Sequence, residues 1–343
     1  MQPPLLQTDW LNQVTFDPES RQPHSESFTW HAVSPTGHRA LWVRLALAAG
    51  PHGRFATVHA CYLDADHPGL WQGVEQVDLS RMRMDPERAG IGIEACNIEA
   101  GASCGNLRNE SGSLAWRVQW QDEYPGYAGL PARWLYRSSR TSPKLATPSP
   151  SMLLAGELEI YRGQGRHVPV QRVDLTGWRG VQRHSWGPCL PTRAAWVHCN
   201  VFSDAAPGTF FEAYAGPVVL AGLRRDLHLG RLVDPSGSQR FERWRSLWQA
   251  PDGVRPGEWT FTLSGDQATV RGRARGAPQP QALPSTAPAG AANSPHTFIS
   301  LLAELSLEVT PHRGGPVRLL HSDRAILTVH QPEALGSLAV AAA

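Results

Sequence analysis

The chain is short of the features that mark nucleic-acid, membrane and nucleotide-dependent proteins. Its 343 residues carry a formal net charge of only +2, with 18% charged. The basic residues stand singly among acids, so no Lys/Arg cluster offers a phosphate backbone a charged face. No stretch approaches the roughly twenty uninterrupted apolar residues of a spanning helix. The opening MQPPLLQTDWLNQ lacks the basic start and apolar run of a secretory leader. A soluble chain without stable membrane insertion is therefore expected. GxGxxG and GxxxxGK-Ser/Thr are both absent, so a nucleotide has no glycine cradle, and no cofactor is expected. No Ser/His/Asp hydrolase triad is expected either. Cysteines are few: Cys61, Cys96, Cys104, Cys189 and Cys199. An odd number without CxxC spacing points to free thiols filling the core of a cytoplasmic protein. Neither CxxC nor HxxxH spacing joins His184, Cys189, His198 and Cys199, so no metal site is expected.

What is present is aromatic and strand-like. Hydrophobic residues make up 41%, and there are thirteen tryptophans against six tyrosines, with 32 glycines and 29 prolines. Such a length suggests two units of roughly 150 residues each. Period-two alternation recurs between turn signals: LWVRLAL (41–47), TVHACYL (57–63), SLAWRVQW (113–120), LAGELEIYRG (154–163), AAWVHCNVF (194–202), TFFEAYAG (209–216), EWTFTLSG (258–265), ATVRGRARG (268–276), LLAELSLEV (301–309) and RAILTVH (324–330). Many short strands at even spacing predict an all-β fold of barrels or sandwiches. The domain change is placed near Thr176, giving units 1–175 and 176–343. SRTSPKLATPSPS (139–151) reads as an ordered loop across a barrel end. The Pro/Ala-rich 276–295 reads as a flexible loop insertion.

The densest chemistry lies at 174–216. Period two puts Trp196, His198, Asn200 and Phe202 on one face of a strand, and Ala195, Val197, Cys199 and Val201 on the other. The first face is large, aromatic and polar, the mixture of a cavity wall. The next strand carries Phe210, Glu212 and Tyr214 together, and hairpin pairing sets Glu212 opposite His198 or Asn200. A carboxyl group beside a histidine in an aromatic pocket makes a workable proton donor; the alternative is a buried polar pair that merely satisfies itself.

These residues carry a resemblance. GWRGVQRHSWG (177–187), then AWVHCNVF and FFEAYAG, resemble the central signature of the tocopherol cyclase and carotenoid 1,2-hydratase (hydroxyneurosporene synthase) superfamily. By position, the resemblance nominates His184, Trp186, Gly187, Trp196, His198 and Glu212. Similar stretches at 26–44 and 142–158 add Glu26, Arg44 and Lys144. The chain departs from the pattern at Ser185, where the family carries Asn, and at Arg183, where it carries a small residue. The resemblance implies two lipocalin-like (calycin-like) antiparallel β-barrels packed together, with the ligand near their junction. It also implies acid-catalysed cyclisation or hydration of isoprenoid double bonds, or pericyclic cyclisation of polyenes, without metal or redox cofactor.

The leading expectation is thus a cofactor-independent cyclase, hydratase or isomerase acting on a hydrophobic polyene, isoprenoid or polyketide-like molecule. Glu212, with His198 and His184, would carry the catalysis. Trp178, Trp186, Trp196, Asn200, Phe210 and Tyr214 would line the pocket, and Arg44 and Lys144 would anchor an oxygen group at one mouth. The alternative is a lipocalin-type carrier that binds without turnover.

Overall fold

The alternation folds as strands nearly throughout. The computed structural model describes residues 9–50, 53–66, 69–84, 89–130, 132–163, 168–188, 193–220, 222–242, 253–276, 281–283 and 296–331. They form an antiparallel sheet of thirteen strands and a second of ten. Helix among the described residues is limited to Asp9–Asn12, Leu79–Arg81 and Trp134–Arg137, none of which is long enough to cross a membrane.

The first sheet runs, in hydrogen-bonded order, Gly69–Asp78, Gly53–Asp64, Arg39–Gly50, His24–Val33, Arg179–Gly187, Lys144–Arg162, Gly112–Asp122, Ala102–Asn109, Cys96–Glu99, Gly90–Ile93 and Met82–Met84. It curls on itself until Asn109 Nδ2 donates to the Gln72 carbonyl at 2.7 Å, leaving a nearly closed barrel. The second runs Gly237–Phe241, Leu223–Asp234, Phe210–Leu220, Ala194–Cys199, Arg318–Gln331, His296–Pro311, Ala268–Arg275, Glu258–Ser264 and Val254–Arg255. In each sheet the strand last in sequence pairs with the first, Arg179–Gly187 with His24–Val33 and Arg318–Gln331 with Ala194–Cys199.

Three expectations are corrected here. Arg179–Gly187 hydrogen-bonds within the first sheet, so the chain passes between sheets after Gly187 and before Ala194, not near Thr176. The segment 139–151 is a loop only in part: from Lys144 it is strand, with register shifts between Ala146 and Ser149 and between Ser149 and Met152. Within 276–295, Gln281–Leu283 pairs with His296–Pro311, and residues 277–280 and 284–295 lie outside the described residues. Cys61, Cys96, Cys104 and Cys199 are free thiols, while Cys189 is outside the described residues.

Each sheet wraps its own core. Leu41, Val43, Leu45 and Leu47 pack with Phe28, Trp30, Trp116 and Trp178 inside the first. Ala195, Val197 and Cys199 pack with Phe211, Trp259 and Leu305 inside the second. A third cluster joins the sheets: Trp42, Leu145 and Val181 meet Trp196, Tyr214, Leu229, Ile299 and Ile326. The consequence for the outward faces is large. On Gly112–Asp122 the outward Arg117 and Gln119 are exposed, the ordinary solvated face of a strand. On Arg39–Gly50 the outward Trp42 and Arg44 are only 3% and 7% exposed, because the second sheet covers them. Burial of a large apolar side chain stabilises by about 1.5–3 kcal/mol relative to exposure, so this cluster holds the two sheets together. Polar ties cross the same layer: His31 Nε2 to the Leu301 carbonyl at 3.0 Å, His198 Nε2 to that of Pro150 at 2.9 Å, and Asn200 Nδ2 to that of Gly180 at 2.7 Å.

Candidate functional site

The covered layer is where the chemistry collects. Strand Phe210–Leu220 points Glu212 and Tyr214 out of the second core, and Ala194–Cys199 does the same with Trp196 and His198. The register sets His198 opposite Glu212 and Trp196 opposite Tyr214. One partner comes from the neighbouring strand: Trp196 Nε1 donates to Glu212 Oε1 at 2.7 Å. Two come from the first sheet, where Tyr127 pairs with Thr147 across a short ladder. Thr147 Oγ1 lies 3.0 and 2.9 Å from the two oxygens of Glu212, and the Tyr127 hydroxyl donates to Oε2. Burial first, then the neighbouring Glu212 charge, pushes the Tyr127 phenol well above its usual range, so it stays protonated. The Arg231 guanidinium lies 4.0 Å from its ring centroid.

His198 is beside the carboxyl but not bonded to it. Its Nε2 is engaged by the Pro150 carbonyl, which fixes hydrogen on that nitrogen. Burial lowers its pKa to about 4 against the raising effects of Glu212 and Pro150, so the ring is neutral at neutral pH. The carboxyl group is held by Trp196, Thr147 and Tyr127. Asn200 instead braces Gly180. Phe210 is fully buried and stacks on the rings of His198 and Tyr127, at 6.0 and 6.4 Å.

His184 belongs to a second, sealed cluster. Its ring lies between Phe28 and Trp186, at 4.0 and 4.3 Å. Nδ1 faces the Leu11 carbonyl at 2.7 Å and Nε2 faces Glu26 Oε1 at 2.8 Å. Both partners are acceptors. Glu26, wholly buried, also accepts from the Thr15 N–H and from His24. Burial pushes its carboxyl up, but the bonds from His184, His24 and Thr15 and the His184 charge outweigh that and hold it at about 2. The cluster clamps the segment before the first strand onto the barrel; His184 and Glu26 are sealed, while Thr15, His24 and Trp186 around them border the cleft that holds Lys144.

Two small cavities flank Arg183. One, of about 40 Å³, is lined by Tyr127, Thr147, Glu212, Tyr214 and Arg231. The other, of about 70 Å³, is lined by Trp42, Arg44, Trp186, Trp196, Tyr214 and His330. Arg183, Tyr214 and Leu145 line both and form the wall between them. The Arg183 guanidinium stands 4.8 Å from the Trp196 ring and 5.7 Å from that of Tyr214. Lys144 is elsewhere: it opens into a cleft of about 550 Å³ with Trp10, His24 and Tyr136. Arg44 and Lys144 thus do not share a mouth, although Trp186 borders both spaces. Trp178 is not at the site either; it is packed in the first core.

Sequence reasoning passed over Tyr127, Thr147, Arg231 and His330. Tyr127 sits in a loop-like stretch and Thr147 in a Pro/Ser-rich one, and neither has a periodic signal. GASCG (101–105) has the GxSxG spelling of a hydrolase elbow but not its setting. Ser103 lies within a strand, its hydroxyl engaged by the Asn97 carbonyl and Trp116 Nε1. No group of three metal-ligating side chains occurs among the described residues.

No protein-family model and no curated protein matches the chain by sequence. Solved structures match it along nearly the whole length. Kievitone hydratase from Nectria haematococca aligns with a TM-score of 0.55 at 10% identity, over 92% of this chain and 93% of that one. A protein from Nitrosomonas europaea described as an AttH aligns at 0.52 and 14% identity, over 91% and 93%. CghA, solved with Sch210972, aligns at 0.50 and 10% identity, over 91% and 89%. The chain shares their fold. At such identities the likeness fixes the architecture and leaves the chemistry to the residues.

Proposed function

We propose that the chain is an enzyme that cyclises, hydrates or isomerises an unsaturated, largely apolar small molecule at the junction of its two sheets. The observation that carries this reading is the Glu212 carboxyl group, held by Tyr127, Thr147 and Trp196 against a cavity in the covered layer. A carboxyl oriented by three donors from two sheets is preorganised, so proton transfer or polarisation needs little rearrangement. In a hydration, the Glu212 carboxylate takes a proton from the water that adds to one alkene carbon, and the resulting carboxyl group delivers that proton to the other carbon. In a cyclisation or isomerisation, an internal nucleophile or a C–H bond replaces water, and the proton balance is the same.

The arginine favours polarisation over a free carbocation. Arg183 already covers the π faces of Trp196 and Tyr214, where a substrate cation would rest. The site suits a substrate whose oxygen function takes up the developing negative charge. The fold shared with kievitone hydratase and with CghA, solved with a small molecule, supports a ligand of this kind. The second reading, carriage without turnover, is favoured by the fact that Glu212 is already satisfied by protein donors.

Glu212→Gln separates the two. It keeps the shape and removes the acid, so turnover of a candidate polyene or prenylated substrate, followed as gain of water or as an isomer by mass spectrometry, should fall by about 100-fold or more. Ligand binding and folding should be spared. Wild-type turnover by this variant would leave a shape-only template, and no turnover by the wild type across such substrates would leave a carrier.

A further inference from the structure

The cavity between Ala194–Cys199 and the outward face of Arg39–Gly50 contains two cations and no carboxylate. Arg44 and Arg183 both line it, together with His330, Thr297, Thr328, Ser27 and others, and no Asp or Glu is among the lining residues. Arg44 spends its Nε on Ser27 Oγ at 2.9 Å. Among the described residues Arg183 makes two ring contacts, and neither guanidinium is in an ion pair, although the Glu212 charge acts on Arg183 across the neighbouring cavity. The nearest candidate, Glu212, is taken up by Tyr127, Thr147 and Trp196. Burial, and then the charge of Arg183, pulls the Arg44 guanidinium down to about 10, and burial lowers Arg183 as well. His330, bonded to Thr297 at 2.9 Å, is held neutral by burial and by both arginines. The Tyr214 hydroxyl is buried at the wall of the same space without a hydrogen-bond partner among the described residues.

Two cations side by side, one of them buried with no ion-pair partner, cost stability, and a protein layer avoids them unless something else is gained. A guanidinium presents a planar fork of donors that matches a carboxylate or enolate, and two such forks in an aromatic chamber can fix one anionic oxygen group. We propose that Arg44 and Arg183 form an oxyanion-binding subsite, and that the ligand is an apolar, unsaturated molecule bearing one carboxylate or enolate group. The apolar body lies along Trp196 and Tyr214 towards Glu212, with Arg183 bridging the two cavities. This deepens the reading of the junction as a ligand site, on which it rests for the position of the apolar body. The arginine that departs from the resembled family pattern then determines which substrates enter.

The test compares pairs that differ only in the oxygen group: benzoate with benzyl alcohol, and all-trans-retinoate with retinol. Tryptophan quenching and thermal shift are read on the full chain and on Arg44→Met, Arg183→Met and Arg183→Lys. The wild type should prefer each carboxylate by about 10-fold or more, the usual scale for a charge-assisted hydrogen bond. Each Met variant should lose that preference while binding the alcohols as before, and Arg183→Lys should keep part of it. Without ligand, Arg44→Met should melt at or above the wild-type temperature, because a buried guanidinium with no carboxylate partner has been replaced by an apolar side chain of similar length. Equal binding of acid and alcohol, no binding of either pair, or a preference surviving in both Met variants overturns the proposal. Benzoate preference without retinoid binding keeps the subsite and removes the polyene reading of the junction. The two failures are therefore distinct.

Discussion

Glu26 and Glu212 are both carboxyl groups taken largely out of water, and their partners give them different roles. Glu26 faces an imidazole whose other nitrogen is tied to the Leu11 carbonyl, and both side chains are sealed at 0% exposure. Glu212 faces neutral donors beside a cavity. Removing a partner should therefore matter differently at each. His184→Ala leaves a buried carboxylate with only His24 and the Thr15 N–H, and should cost about 3–5 kcal/mol in urea unfolding, the scale for breaking a buried pair. Glu212→Gln keeps shape and polarity and should stay within about 1 kcal/mol of wild type. A stable His184→Ala would show that the Glu26 cluster does not clamp the N-terminal segment. The residues of the resembled signature thus divide: Trp196 and Glu212 meet at the junction, whereas His184 and Trp186 anchor the segment ahead of the first strand.

Strand Arg179–Gly187 shows how one element serves both sheets. It fills the slot between His24–Val33 and Lys144–Arg162, with His184 directed to Glu26 and Arg183 towards the second sheet. Close approach is needed at Gly180, where a Cβ would stand 2.3 Å from the His31 carbonyl oxygen and 2.9 Å from Met152 Cε. Its own carbonyl accepts from Asn200, so the tightest point of the first sheet is also a tie to the second. Gly180→Ala should destabilise by about 1–3 kcal/mol through overpacking. Hydrogen exchange should then rise first along 179–187 and 194–199. Exchange unchanged there, with the loss of stability elsewhere, would mean that the strand does not couple the sheets.

Four of the described histidines are held neutral by their surroundings. Burial, as the largest cause, lowers His31, His59 and His330 to about 3 and His198 to about 4, from an ordinary 6.5. The unfolded chain takes up these protons first as pH falls. Their contribution is therefore complete above about pH 6.5 and is lost progressively towards pH 3–4. Glu26 adds a share that is complete above about 4.5 and is lost as pH falls towards 2. Urea midpoints should drop steadily between about pH 6.5 and 5, before most carboxylates titrate. His198→Gln, which retains a donor for Pro150, should flatten that slope. A midpoint constant over this range would contradict the sealed neutral state. Because His31 and His198 bridge the two sheets, the covered layer should open before either core.

The sequence by itself determined the strands and the two faces of each, because side chains alternate with period two whatever the strand later meets. LWVRLAL and AAWVHCNVF sorted Leu41 from Trp42 and Val197 from Trp196 correctly. Hairpin register set Glu212 opposite His198 or Asn200, and the folded strands pair it with His198. Only the tertiary structure decided that the polar faces of Arg39–Gly50, Arg179–Gly187 and Phe210–Leu220 are covered while that of Gly112–Asp122 is not. Both kinds of strand have the same alternation, and what differs is a second sheet from a distant part of the chain. The same long-range contact chose Tyr127 and Thr147 as partners of Glu212, 85 and 65 residues away in sequence. It drew His198 to Pro150 and left Arg44 and Arg183 facing the same cavity, since local periodicity specifies a face and carries no information about what will lie against it.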